Sequence, residues 1–227
     1  MNLSKVIFVA VVCAALGFGQ AQQDQKPSEE KVAKPDAKKP AAKKPEPGGK
    51  SEGIKVHGHW MLESRNPDGT LASRKEFENA LVTGVGSGSN ALATVLAGGA
   101  AVGGWYVELA AVCSPACPNL TIAQSPAICA GPVAPPGSSC TSSLTAVVGG
   151  SNLNQLTLQG TSAPVANVGT ILIVQTTLLT CNPGLTPAAC LAGGTGLEPW
   201  SFTSALANNF SVQAGQTITA TVTLTFS

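Results

Sequence analysis

The apolar and polar positions of this chain alternate most clearly at its two ends. Ile54, Val56, Trp60 and Leu62 alternate with His57, His59 and Glu63, the two-residue period of a strand with one buried face. Asn66-Pro67-Asp68-Gly69 follows, where proline pre-sets φ and glycine permits the reversal, so Thr70 to Glu78 reads as the return strand of a hairpin. Glycines at 84, 86 and 88 interrupt the pattern. Ser89 is then placed to cap one short helix, with Leu92, Val95 and Leu96 on one face and Gly98-Gly99 as its stop. Trp105 to Val112 reads as a strand, and strand signals resume at Leu144–Val148, Leu153–Leu158, Thr170–Thr180 and Ser201–Leu206. At the C-terminus Ile218, Ala220, Val222, Leu224 and Phe226 point one way, and threonines 217, 219, 221, 223 and 225 the other. Such a series of short strands with one helix predicts a mainly β fold, an Ig-like antiparallel β-sandwich.

The N-terminal segment has a different character. Lys5 followed by the apolar run Val6 to Leu16, with small residues at Gly19 and Ala21, reads as a signal peptide over 1–21, too short to span a bilayer. Residues 22–52 carry eight Lys and six Asp/Glu among Pro and Ala, and so cannot bury apolar area. They read as a disordered linker holding the domain off a surface, with contact between the lysines and anionic envelope polymers as the sharper reading. The folded domain is thus expected over 53–227, about 175 residues, enough to bury roughly 70% of its unfolded surface. Export is the expected address: periplasmic, cell-surface or secreted, with no transmembrane span once the signal is cleaved.

Seven cysteines change the picture further. Cys13 leaves with the signal, and an even set remains: Cys113, Cys117, Cys129, Cys140, Cys181 and Cys190. In an exported chain these read as disulfides. Locality favours Cys181 with Cys190 and pairing of the other four among themselves, stapling a Pro/Ser/Cys-rich loop over 113–143. Zinc is disfavoured, because no His follows Cys113-x-x-x-Cys117.

Some of these segments resemble a known pattern. Phe77-Glu78-Asn79-Ala80-Leu81-Val82, then glycines, then Leu92-x-x-x-Leu96-x-Gly98, then Trp105-Tyr106-Val107-Glu108-Leu109, resembles a recurrent element of phage tail and tail-fibre proteins. The closing stretch from Phe202-Thr203 through Phe210-Ser211-Val212 to Phe226 resembles their final strands. The resemblance covers about a third of the chain and implies a tail-fibre-like sandwich with an appendage or binding role.

Charge and candidate chemistry narrow the function classes. The net charge is +1, which disfavours a nucleic-acid binder, and from Ala110 to Ser227 the only charged side chain is Glu198. His57-x-His59 shares a strand face, but only Met61 or Glu63 could complete a metal site. Gly84-Val85-Gly86-Ser87-Gly88 lacks the spacing of a nucleophile elbow. Glu76 and Glu78 lie on one strand face in a charged hairpin, where solvation is the default. Asn119-Leu120-Thr121 and Asn209-Phe210-Ser211 match glycosylation acceptors. Scarce aromatics argue against a membrane barrel. The reading is therefore a non-catalytic structural or adhesive domain without cofactor, self-associating through sheet edges. The alternative is an envelope-tethered module binding carbohydrate or another ligand, with Trp200, Trp105 or Tyr106 as the stacking platform.

Overall fold

The computed structural model describes residues 54–113, 118–131, 137–151, 153–193 and 197–227. The signal peptide and linker expected over 1–52 lie outside the described residues.

The expected hairpin forms. β1 (Val56–Arg65) and β2 (Leu71–Leu81) run antiparallel, with Trp60 opposite Phe77. Gly69 takes φ +84°, and the Asp68 carboxylate accepts from the Thr70 amide at 2.9 Å and its hydroxyl at 2.6 Å, closing the turn. Eleven further elements follow. They are α1 (Gly88–Leu96), β3 (Ala101–Cys113), β4 (Leu120–Ala123), α2 (Pro126–Ala130), β5 (Ser139–Thr141), β6 (Thr145–Gly149), β7 (Gln155–Thr161), β8 (Gly169–Cys181), α3 (Pro187–Gly193) and β9 (Glu198–Val212), before the closing β10 (Thr217–Phe226).

β10 pairs with β1 along its whole length, from Val56 opposite Phe226 to Arg65 opposite Thr217. Its Ile218, Ala220, Val222 and Leu224 are fully buried. Its threonines form the expected ladder on the other face: Thr219 shares a hydroxyl hydrogen bond with Thr161 at 3.0 Å, and Thr221 accepts from the Gln159 amide at 3.0 Å.

Where the sequence predicts two packed sheets, all ten strands belong to one, in the order β5-β4-β3-β8-β9-β2-β1-β10-β7-β6. The sheet curls around a main core that draws Trp60, Leu62 and Val222 from one half and Val107, Leu109 and Phe202 from the other. The halves join at a narrow seam. β2 meets β9 through only two residue pairs, Ala80 with Ser204 and Leu81 with Thr203. A polar chain reinforces this seam. With its amide oxygen toward them, Asn79 accepts from Trp60 Nε1 at 2.7 Å and Thr203 Oγ1 at 2.9 Å, and it donates to the Gly58 carbonyl at 3.2 Å. Thr203 Oγ1 in turn lies 2.7 Å from Thr176 Oγ1, so the chain crosses β1, β2, β9 and β8. A Cβ on Gly58 would stand 1.8 Å from the Asn79 amide, which reserves that position for glycine.

α1 packs over the same seam. The Val82 amide donates to the Phe202 carbonyl at 2.9 Å, and a Cβ on Gly88 would lie 2.5 Å from that oxygen. The helix begins two residues earlier than the sequence predicts: Ser87, not Ser89, is its N-cap, and the Ser87 hydroxyl bonds the Gly84 carbonyl and the Ser89 hydroxyl instead of capping a helix amide.

The far ends of the curled sheet also touch. The Leu144 amide donates to the Ala123 carbonyl of β4 at 2.9 Å, and the Thr141 and Ser143 hydroxyls both donate to the Thr161 carbonyl of β7. A Cβ on Gly160 would be 2.6 Å from Ile122 Cγ2, so only glycine lets β7 come this close to β4.

Two expectations need correction. The described residues form three helices, not one, because α2 lies in the stretch that reads as Pro/Ser/Cys-rich loop and α3 begins in the Pro-containing span between Cys181 and Cys190. At five and seven residues they are too short to show a helical period. The segment 113–143 likewise contains two strands: all four residues of β4 are buried, so it has no alternation to detect.

The seam supplies a direct test. Asn79→Ala leaves Trp60 Nε1 without its acceptor inside the core and is expected to lower unfolding stability by about 2 kcal/mol. Gly58→Ala, which forces a methyl onto the pinned amide, should cost about 1–3 kcal/mol. Urea unfolding followed by tryptophan fluorescence measures both.

Candidate functional site

The outer face of β3, β4 and β8 is covered by the two short helices. Tyr106, Ala123, Ile128 and Leu179 form a second, small core there, against which Cys129, Cys140, Leu191 and Leu197 pack. Each helix is anchored by one disulfide. Cys129 of α2 bonds Cys140 of β5, and Cys190 of α3 bonds Cys181 of β8, the local pairing the sequence favours. Sequence also builds the helices: Ser125 accepts from the Ala127 amide at 3.1 Å and Pro126 occupies the first turn of α2. Gly103 lies at an irregularity in the β3–β8 register, where a Cβ would be 2.4 Å from Cys190 Sγ. The Cys113 side chain and Cys117 lie outside the described residues.

Between this helical cover and the β6–β7 hairpin lies a groove of about 570 Å³. One wall is the start of β3 with α2 and α3, and the other is Ala146, Val148 and Leu156. Trp105, Ala146 and Leu156 also belong to the main core or pack on it, so the groove is an extension of that core to the surface. Gln124 and Ser125 are its polar side chains, and among the described residues no charged one lines it. Its volume falls in the range of small-ligand sites, about 300–1,000 Å³.

The three aromatics singled out from the sequence occupy three environments. Trp105 is 9% exposed and meets Phe202 edge to face, with ring centroids 5.0 Å apart, while it also lines the groove. Tyr106, the next residue along β3, points the opposite way into the small core; burial pushes its phenol above the ordinary tyrosine range, and a hydrogen bond to Thr177 opposes this. Trp200 is half-buried on β9, packs on the main core and donates its Nε1–H to Thr180 Oγ1 at 2.7 Å. These residues do not make one shared platform. The groove itself was not foreseen, because the helices that wall it were not. The Ser125-Pro126 cap and the half-cystine in each helix were the signals available.

On the β1–β2 hairpin, the charged residues hold one another. His59 Nδ1 lies 2.7 Å from Glu78 and its Nε2 3.7 Å from Glu76. Arg74 hydrogen-bonds Glu76, which lowers that carboxyl below the usual carboxylate range. Glu63 faces Arg65 and Arg74. Among the described residues, no three His, Cys, Asp or Glu side chains converge as metal ligands. Of the two glycosylation sequons, Asn119 donates its amide to Glu108 and Thr121 is fully buried, while Asn209 takes φ +59° in an irregular stretch of β9. No helix among the described residues is long and apolar enough to cross a membrane.

Tyr106 is the chain's single tyrosine, so its titration can be read without interference. Its raised value means that it contributes stability below about pH 10, lost as pH rises through the folded-state value. Absorbance of the phenolate should therefore show a midpoint above 10 in the native protein, returning to about 10 in denaturant. Replacing Cys129 and Cys140 together by Ser removes a link across 11 residues and should lower stability by about 3 kcal/mol in non-reducing thermal unfolding.

No protein-family model matches this chain, and no curated protein or solved structure matches it either, so the functional reading rests on the geometry above.

Proposed function

We propose that this chain is an exported structural or adhesive domain that acts by contact and performs no catalysis. In this reading it stands in the periplasm, on the cell surface or in the medium, held off a surface by the Lys/Pro/Ala/Glu linker. The observation that carries the proposal is the make-up of the outer sheet: β10 and β7 present hydrogen-bonded threonines and glutamine, while Glu198 is the one charge from Ala110 onward. Such a face is suited to lateral contact on its β7 side; on its other side it borders the charged face of β1, where Glu63 lies opposite Thr219 and Arg65 opposite Thr217. Two disulfides anchoring the outer helices fit an oxidising compartment. The two halves of the curled sheet face each other across one core, and the tail-fibre-like sandwich pattern belongs to the same proposal.

The groove favours the second reading, a tethered ligand-binding module. Its lining favours an apolar occupant over a sugar, since Trp105 offers little free ring face and the polar side chains are few.

Purified full-length exported chain, studied by light scattering and by binding to cells and to isolated envelope polymers, tests the proposal. The expected result is a defined multimer or saturable cell binding. A strict monomer that binds neither cells, polymers nor glycans contradicts it.

A further inference from the structure

The groove is bounded by two strand edges that have no strand partner among the described residues. β4 pairs with β3 only from Tyr106 to Leu109. The Gln124 amide still donates to the Trp105 carbonyl at 3.0 Å, but the Trp105 amide donates to the Gln124 side-chain oxygen at 3.2 Å in place of a backbone carbonyl. There the chain leaves the sheet for α2. Val102 and Gly104 pair with β8 on one side, and Val102 to Gly104 line the groove. Across the gap, β6 pairs with β7 along one edge, and its opposite edge is unpaired. Just above, the Leu144-to-Ala123 hydrogen bond joins the two sides, so the sheet closes at one end of this line and stays open at the other.

We propose that the groove accepts one extended, uncharged segment of a partner polypeptide, which adds as a strand along β6 and takes up the line β4 abandons beside β3. Backbone N–H and C=O groups on exposed edges recruit strands, with alternate side chains supplying specificity. The described lining residues hold no charge, which suits a segment whose inward side chains are uncharged. Side chains facing inward meet Trp105, Ala146 and Leu156, which suits valine, alanine or threonine. This inference deepens the contact reading by giving its partner a chemistry, yet stands on its own geometry: loss of cell binding leaves it untouched, and failure of peptide binding leaves the multimer assay untouched.

The test uses the full-length disulfide-bonded protein and a capped heptapeptide of alternating threonine and valine, followed by Trp fluorescence and residue-resolved amide exchange. The expected result is saturable binding with slowed exchange in β6 and Val102–Gly104. Methylating alternate peptide amides, which removes strand donors and keeps the side chains, should weaken binding at least about tenfold. Val148→Lys, which places a charge in the groove, should do the same, while Val147→Lys, on the same strand but outside the groove lining, should bind within about twofold of the original. The proposal is overturned if the peptide does not bind at millimolar concentration, if the methylated peptide binds equally well, or if protection appears away from β6 and β3.

Discussion

Everything in this domain depends on closing a ten-stranded sheet around its core with little backbone pairing at the join. Two residue pairs connect β2 to β9, compared with ten between β1 and β10. A seam that short cannot hold by ladder hydrogen bonds alone. Asn79 compensates by linking Trp60 on β1 to Thr203 on β9, and Thr203 passes the connection to Thr176 on β8. α1 adds packing at the same place through Gly88 against the Phe202 backbone. Glycines mark the points of closest approach: Gly58 beside Asn79, Gly88 beside Phe202, and Gly160 beside Ile122 at the opposite closure.

The two closures differ in kind. The β2–β9 seam is a true strand pairing reinforced by side chains. The β4–β7 contact is made by the short link through Thr141, Ser143 and Leu144, and it ends at Ala123. Beyond that point the chain turns outward to form α2, and the core meets the surface along Trp105 and Leu156. The groove is thus a consequence of incomplete closure. The two disulfides follow from the same economy of material. With eight aromatics after the linker and a small outer core of four buried residues, short helices cannot hold themselves on the sheet by apolar area. Cys129–Cys140 and Cys181–Cys190 do so covalently.

Much of this was legible in the sequence where local pattern and tertiary role agree. The Asn-Pro-Asp-Gly turn sets the β1–β2 hairpin, and strict alternation sets β10 and its threonine face. Local cysteine spacing gives the Cys181–Cys190 bond. Legibility failed where burial removed alternation or length removed period. β4 is buried on both faces, β5 has three residues, and α2 and α3 are shorter than two full turns of detectable pattern. Leu153, read as the start of a strand, instead takes φ +54° in the turn before β7, with its side chain exposed. The single continuous sheet was also hidden, because two residue pairs between β2 and β9 leave no trace in either strand's pattern. The aromatics misled as a group: Trp105 and Tyr106 are adjacent and so face opposite ways, and Trp200 turns its polar edge to Thr180.

Native-state amide exchange of the isolated protein tests this account most directly. A sheet that is joined at the β2–β9 seam and open beside β6 predicts slow exchange at Val82, whose amide donates to the Phe202 carbonyl across the join, near that of the β1–β10 ladder, and fast exchange for the β6 amides that point away from β7. Seam amides exchanging as fast as the outer amides of β6 would show two independent sheets. Outer β6 amides as slow as those of β10 would show a fully closed one. Either result would contradict the architecture from which the groove and its function are derived.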